Sequence, residues 1–401
     1  MSSSAPRGER LVITITGRRN AGKSSLINAL VGQQVAIVSE HAGTTTDPVA
    51  KQYELIPVGP VTLYDTAGLD DVGELGALRI KATQKVLWRS DMALFVTESA
   101  DFTPEDLQIL AMIERTKIPC VVVFNKCDTH VPSDSAKNYC KEKGFPYIAV
   151  SSVTGESIIE LKELIIQHTP KYFTDESVII GDLIQGGDVV MLVVPIDLAA
   201  PKGRLILPQV QVIRECLDND AIALTVKDKE IEEAFSSLSK PPALVIADSQ
   251  VILKVAGDVP DDVPLTTFST AFARYKGDLD VMVQGVRAID TLKNGDRVLI
   301  AEACSHHVQC DDIGRVKIPR WLTQYIGKEI HYDVVSGQDF PEDVSQYALV
   351  LHCGGCMITG MEFKRRIHQC IAEGIPVTNY GVVISKMHGV LDRIIKPFYK
   401  E

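Results

Sequence analysis

The chain has 401 residues, of which 45% are hydrophobic and 23% are charged, and its formal net charge is −11 at pH 7. This length exceeds one ordinary hydrophobic core and fits two or three globular domains, while the acidic balance argues against a nucleic-acid partner bound through clustered Lys and Arg. We expect a cytoplasmic protein without a membrane partner, because no apolar run reaches the roughly 18 residues of a membrane span and the N-terminus lacks a secretory signal.

The first predicted strand, LVITIT at residues 11–16, leads into a glycine-rich loop and then a helical segment. The loop reads GRRNAGKS, the order in which a phosphate loop holds a nucleotide. Its backbone amides and the helix N-terminus would cradle the phosphates, Lys23 would reach the β- and γ-phosphates, and the Ser24 hydroxyl would bind Mg²⁺. We predict these nucleotide-binding residues here: Gly17, Asn20, Ala21, Gly22, Lys23, Ser24 and Ser25.

Two further segments are typical of the parts of a GTPase that respond to the γ-phosphate. The strand VTLY ends in DTAG, where Asp65 would bind Mg²⁺ through water and the Gly68 amide would sense the γ-phosphate. The run GTTTD lies where a first switch segment is expected, and Thr45 would close onto Mg²⁺. No glutamine follows Gly68 to orient the attacking water. We predict catalytic roles for Lys23, Thr45 and Gly68.

The base specificity is predicted by a third strand, CVVVF, which ends in NKCD at residues 125–128. The Asp128 carboxylate can accept two hydrogen bonds from guanine, and adenine offers no such pair of donors. Asn125 and Lys126 belong to the same motif, and Ser151 and Ser152 follow the strand PYIAV where a loop would contact guanine O6. The nucleotide is therefore predicted to be GTP.

The GTTxD switch and the hydrophobic residue after DTAG resemble the TrmE and Era branch of GTPases. That branch often replaces an arginine finger with K⁺ held by an asparagine of the phosphate loop. The resemblance implies a K⁺ site at Asn20, with backbone carbonyls near residues 39–44. The alternative is that Asn20 is a loop residue that caps its own turn.

The GTPase domain is predicted to end at the Thr169-Pro170 pair, after the helical pattern ESIIELKELIIQH. The following segments VVMLVVPID, APKGRLILP and ALVIADSQV are typical of short strands among helices. We find no nucleophile, base and orienting group in this region, and its apolar content fits a dimer interface. The predicted domains are a P-loop GTPase domain (1–172), a small α/β dimerisation domain (173–265) and a third α/β domain (266–401).

Two apolar strands in the last region lead directly into candidate metal ligands. DRVLIAEA precedes Cys304 and His306, and YALVL precedes the sequence HCGGC, which contains His352, Cys353 and Cys356. A CxxC pair aims two thiolates from one tight turn at a single metal, and open α/β sheets build their sites at the carboxyl ends of strands. Three thiolates with histidines nearby suit either a Cys3His zinc site or a four-iron cluster with one iron left open.

The other cysteines have simpler interpretations. Nine cysteines in an intracellular chain indicate thiols and metal ligands rather than a disulfide framework. Cys310 is near enough to Cys304 in sequence to lend a fourth ligand. Packing roles are predicted for cysteines that fall in strand or helix patterns or in the variable slot of NKCD: Cys120, Cys127, Cys140, Cys216 and Cys370.

A TrmE/Era-type GTPase domain, the string APKGRLILPQ and a terminal CxH…HCxxC pattern together resemble the HydF family of FeFe-hydrogenase maturation GTPases. The resemblance implies a homodimeric scaffold in which residues 266–401 are an iron–sulfur domain with a 4Fe-4S cluster on Cys304, Cys353 and Cys356. His306 or His352 is an open choice of fourth ligand. The resemblance further implies a transient diiron precursor of the hydrogenase active site, apo FeFe-hydrogenase and radical-SAM maturases as partners, and GTP as a switch.

Two other classes of function are compatible with parts of this sequence. An Era-like RNA- or ribosome-associated GTPase with a structural zinc domain is the main alternative, although the acidic charge and the lack of a KH-type GxxG loop count against it. A redox enzyme regulated by GTP is disfavoured because no nicotinamide or flavin fingerprint is present.

Overall fold

The computed structural model of the chain describes residues 10–32, 49–66, 83–98, 100–171, 178–195, 205–303, 312–337 and 339–399. It divides into two compact units, an N-terminal unit of residues 1–176 and a C-terminal unit of residues 177–401. No helix within these described ranges is long and apolar enough to cross a membrane.

The N-terminal unit is built on a six-stranded sheet in the order β2-β3-β1-β4-β5-β6, in which only the β2–β3 pair is antiparallel. The central strands β1, β4 and β5 are buried along their whole length, as expected for parallel strands covered on both faces. The strands are β1 Leu11–Thr16, β2 Val49–Leu55, β3 Gly59–Asp65, β4 Met92–Thr97, β5 Cys120–Phe124 and β6 Tyr147–Ala149.

Helices of this unit follow the strands and pack on the sheet through apolar faces. Leu26 and Ile27 of the first helix and Leu161 and Ile165 of the last belong to one buried core with β1 and β4. A further segment at 83–88 is helical. The helices are α1 Lys23–Val31, α2 Pro104–Thr116, α3 Asp134–Lys143 and α4 Ile158–His168.

The C-terminal unit contains two four-stranded sheets over its described residues, and every strand pair in both is parallel. The first sheet has the order β10-β9-β7-β8 and the second has the order β12-β11-β13-β14. The strands are β7 Val189–Val193, β8 Ile222–Val226, β9 Leu244–Ala247, β10 Leu265–Thr267, β11 Arg297–Ala301, β12 His331–Val335, β13 Leu349–His352 and β14 Val377–Asn379.

One continuous hydrophobic core joins these two sheets. It contains Met191 and Val245 of the first sheet together with Leu299 and Leu351 of the second. The helices of this unit are α5 Leu207–Asp218, α6 Ile231–Ser237, α7 Ile252–Asp258, α8 Phe268–Lys276, α9 Leu279–Val286, α10 Ile318–Ile326, α11 Gly360–Ala372, α12 Tyr380–Met387 and α13 Leu391–Ile395. The predicted α/β class is confirmed, and the boundary predicted near residue 265 stays a prediction.

Candidate functional site

The phosphate loop leaves the carboxyl end of β1 in a conformation that depends on glycine at two positions. Gly17 has φ +146°, and a Cβ atom there would lie 2.0 Å from the carbonyl oxygen of Val96 on β4. Gly22 has φ +87°, and its Cβ would lie 2.2 Å from the Asn125 side-chain nitrogen. The loop therefore passes directly against β4 and the guanine-specificity motif, where no larger residue fits.

The side chains predicted to bind phosphate and Mg²⁺ lie at the start of α1. Lys23 is 3% exposed, and its ammonium donates hydrogen bonds to the carbonyls of Gly17 and Arg18, both at 2.8 Å. The Ser24 hydroxyl donates to Asp65 Oδ2 at 2.6 Å. The two predicted oxygen ligands of Mg²⁺ within the described residues are thus brought together from loops 41 positions apart.

The guanine-specificity motif is tied to both neighbouring loops. The Asn125 side chain donates to the Ala21 carbonyl at 2.9 Å and accepts from the amide and hydroxyl of Ser152 at 3.1 and 2.7 Å. The Lys126 ammonium donates to the Asn20 carbonyl at 2.9 Å and pairs with Glu98. These contacts place three predicted segments at one edge of the sheet.

The remaining predicted GTPase residues are mostly exposed, apart from one that is buried and two that lie outside the described residues. Asp128 is exposed, as a carboxylate that binds a base must be, while Ser151 is buried. Asn20 is exposed and has a left-handed backbone with φ +65°, a conformation that asparagine tolerates. Ser25 is exposed on α1. Thr45 and Gly68 lie outside the described residues.

One contact of the phosphate loop was missed by sequence reasoning. Arg18 Nε donates to Asp106 Oδ1 at 3.1 Å, and the Asp106 carboxylate is completely buried. The other oxygen of Asp106 accepts from the amide and hydroxyl of Thr103, so the same residue completes the capping box of α2. The sequence TPED predicts that capping box, although nothing in it identifies Arg18 as the partner of Asp106.

The candidate metal site lies at the carboxyl end of β13, where the chain turns into the CxxC segment. Cys353 Sγ accepts a hydrogen bond from the Ala303 amide at 3.0 Å, and β11 and β13 are adjacent, with Ala301 opposite His352. Ala303 directly precedes Cys304, which lies outside the described residues together with His306 and Cys310. The two strands predicted to deliver the ligands are therefore neighbours.

The turn between the two cysteines depends on a specific glycine. Gly355 has φ +63°, and a Cβ there would lie 2.8 Å from the ring of Phe363, whereas nothing lies within 4 Å of a Cβ on Gly354. The buried Lys276 ammonium approaches the Gly355 carbonyl at 3.4 Å. Burial raises the pKa of the Cys356 thiol, and the positive charge of Lys276 acts in the opposite direction.

His352 is fully buried, and both of its ring nitrogens have protein partners. Its Nε2 lies 3.2 Å from a guanidinium nitrogen of Arg366, which can only donate, so Nδ1 carries the proton and donates to the Cys353 carbonyl at 2.8 Å. Burial, followed by the charge of Arg366, lowers the pKa of His352 to about 3. A ligand role for His352 requires one of these hydrogen bonds to be exchanged for a metal, and that role stays a prediction.

The described donors fit an iron–sulfur cluster or a zinc ion. Two thiols project from one turn, one of them already receives an amide hydrogen bond of the kind that stabilises cluster sulfurs, and the turn's tight backbone requires glycine. Within the described ranges, no group of three or more His, Cys, Asp or Glu side chains is placed to hold a metal.

Comparison with known proteins identifies three regions. The family model "Hydrogen maturase F dimerization domain" matches residues 179–277, "Hydrogen maturase F tetramerization domain" matches residues 280–397, and "50S ribosome-binding GTPase" matches residues 12–126. The two hydrogen maturase F models together account for more than half of the chain.

Curated relatives match less than half of the chain. The tRNA modification GTPase MnmE of Chromobacterium violaceum is 32% identical over 174 residues, which are 43% of this chain and 38% of that protein. GTPase Der of a Nitratiruptor species is 33% identical over 172 residues, covering 40% and 37%. GTPase Era of Clostridium acetobutylicum is 32% identical over 181 residues, covering 42% and 59%. The chain thus spans less than two thirds of the length of each of these relatives.

Among solved structures, the G domain of the T. maritima FeoB iron transporter has 24% identity and a TM-score of 0.32, and the match covers 40% of this chain and 99% of that one. The family predicted from the sequence motifs is confirmed by the hydrogen maturase F matches. The chain therefore belongs to the hydrogen maturase F family, and the dimerization and tetramerization domains of that family follow its GTPase domain.

Proposed function

We propose that the protein is a scaffold that holds a 4Fe-4S cluster, receives a diiron precursor of the hydrogenase active site and transfers it to apo FeFe-hydrogenase. The observation that carries this proposal is the hydrogen bond from the Ala303 amide to Cys353 Sγ. It connects the peptide before Cys304 to the CxxC turn in a chain of the hydrogen maturase F family, which supports a single site for the three cysteines.

The chain's own groups have separate tasks at this site. Cys304, Cys353 and Cys356 would hold the cluster, while Gly355 keeps the turn tight enough for both CxxC sulfurs to face one centre. When bound, a cluster with only three thiolates supplies an iron that can take an exogenous ligand. His306 and His352 stand beside the three cysteines in sequence and are the proposed candidates for a displaceable fourth ligand.

GTP acts in this proposal as a switch rather than as the source of chemistry at the metal site. Lys23 would exchange its loop carbonyls for phosphate oxygens, Ser24 and Asp65 would bind Mg²⁺ with Thr45, and the Gly68 amide would sense the γ-phosphate. Asn20 would hold K⁺ in place of an arginine finger. Intrinsic turnover of small GTPases is roughly 10⁻³ per second or slower, which suits a timer that controls contacts with partners.

The proposed partners follow from the family. The matched dimerization and tetramerization domains support homo-oligomerisation, with residues 173–265 as the proposed dimerisation domain. Radical-SAM maturases would supply the diiron precursor, and apo FeFe-hydrogenase would accept it.

A transfer assay tests the proposal. Anaerobically reconstituted full-length protein is loaded with a synthetic diiron complex, freed of excess complex and mixed with apo FeFe-hydrogenase, and hydrogen evolution is measured. We expect activation by the parent and none by Cys304→Ala, while Cys216→Ala, which alters a buried thiol on α5, activates like the parent. Equal activation by the parent and by Cys304→Ala would contradict the scaffold role. A colourless parent with one zinc per chain would favour the Era-like alternative.

A further inference from the structure

A buried lysine lies beside the CxxC turn. Lys276 is the last residue of α8 and is 5% exposed, although lysine is among the residues least often buried. Its ammonium points at the carbonyl of Gly355, the residue directly before Cys356 in the turn. The cation therefore lies inside the C-terminal unit, next to the CxxC turn, rather than in solvent.

The packing of α8 explains why the lysine is directed inward. Phe268 and Phe272 of this helix are buried in a separate core on the first sheet. The helix is followed by Gly277, where a Cβ would lie 2.8 Å from the Phe363 ring. The same ring lies 2.8 Å from a Cβ on Gly355. Phe363 therefore stands between the end of α8 and the CxxC turn and fixes the distance between them.

The charge of Lys276 lies next to the sulfur site. Its ammonium is 3.4 Å from the carbonyl of Gly355, the residue directly before Cys356. Lys276 belongs to α8, which follows strand β10 of the first sheet, whereas both cysteines follow strand β13 of the second sheet. The cation is thus brought to the CxxC turn by the packing of a distant helix and is not a neighbour of the cysteines in sequence.

We propose that Lys276 is a positioning residue that raises the reduction potential of the iron–sulfur cluster by placing a buried positive charge beside its CxxC ligands. This inference rests on the proposed function, because it requires a cluster on the three cysteines. A cluster with three thiolates carries a net negative charge that increases when it accepts one electron, so a nearby cation stabilises the reduced form more than the oxidised form.

The test is an anaerobic redox titration of the full-length reconstituted protein, with dithionite as the electron donor and the EPR signal of the reduced cluster as the readout. Lys276→Met removes both the charge and the hydrogen-bond donor, Lys276→Gln removes the charge but keeps a donor, and Lys276→Arg keeps the charge. Lys254→Met, at an exposed lysine paired with Asp228, controls for the change in net charge alone.

We expect the midpoint potential to become more negative by a similar amount in Lys276→Met and Lys276→Gln, and to stay near the parent value in Lys276→Arg and Lys254→Met. If the midpoint potential of Lys276→Gln equals that of the parent, the inference is overturned, because the charge of Lys276 would then have no effect. This holds whether or not the midpoint potential of Lys276→Met changes. A parent that forms no iron–sulfur cluster overturns both this inference and the proposed function. A parent with a cluster but no shift in the neutral variants overturns the inference alone.

Discussion

The substitution Gly355→Ala is expected to destabilise the C-terminal unit, and Gly354→Ala one position earlier is its matched control. Gly355 has φ +63°, a backbone conformation that costs an L-residue roughly 1–2 kcal/mol. The new Cβ would also lie 2.8 Å and 3.1 Å from two ring carbons of Phe363, and overpacking of this kind costs about 1–3 kcal/mol.

The ring has little freedom to relieve the overlap. Phe363 is 1% exposed and packs edge-on against the His352 ring, with centroids 4.7 Å apart. Together the two effects predict a loss of about 3 kcal/mol, which for a unit of roughly 200 residues lowers Tm by about 6–12 °C. Gly354→Ala is expected to change stability by less than about 0.5 kcal/mol, because its Cβ would meet nothing within 4 Å.

The assay uses tryptophan fluorescence of metal-free, full-length protein during a thermal scan. The chain has two tryptophans, Trp88 in the N-terminal unit and Trp321 in the C-terminal unit. A Trp88→Phe background makes Trp321, which packs against the C-terminal core, the only reporter. If Gly355→Ala melts within 2 °C of Gly354→Ala, on the order of 1 kcal/mol or less, the steric reasoning about this turn is refuted.

Three further outcomes are expected. Lys23→Ala should abolish GTP turnover, measured as phosphate release, but leave the iron content unchanged because the candidate metal site lies in the other compact unit. A parallel loss of iron would contradict this. Asn20→Gly, which suits the left-handed backbone and keeps the carbonyl that Lys126 binds, should remove the faster turnover in K⁺ relative to Na⁺, and an undiminished K⁺ effect would exclude Asn20 as the ligand. Burial raises the pKa of four thiols to about 11 or 12, namely Cys120, Cys140, Cys216 and Cys370. They therefore stay protonated at pH 8, and we expect mass spectrometry to find iodoacetamide labels on them only after unfolding. Labelling of the native protein would contradict their burial.

The sequence predicts the parts of the site that local chemistry determines. The phosphate loop follows from a buried strand, a glycine-rich turn and a helix that begins at Lys23, and the structure has all three. The CxxC turn was predicted at the carboxyl end of an apolar strand, and β13 ends at His352. In each case a short segment carries both the backbone signal and the functional side chain.

Contacts between distant segments could not be predicted in the same way. Lys276 and Gly355 are 79 positions apart, and Arg18 and Asp106 are 88 positions apart. Their approach depends on how whole helices pack against the sheets, which hydrophobic periodicity does not specify. A helix-terminal lysine such as Lys276 also has the pattern of an ordinary solvated charge, so nothing local marks it as buried.

The anaerobic iron and acid-labile sulfide content of the full-length protein, measured with its absorption spectrum, tests the central claim most directly. The account predicts a brown parent with about four irons and four sulfides per chain, a Cys356→Ala variant that loses them, and a Cys370→Ala variant that keeps them. Cys370 is a fitting control because it is a buried thiol of the same unit on α11, outside the motif. A Cys356→Ala variant that retains the parent's iron and sulfide, or a parent that binds zinc and no iron, would contradict the account.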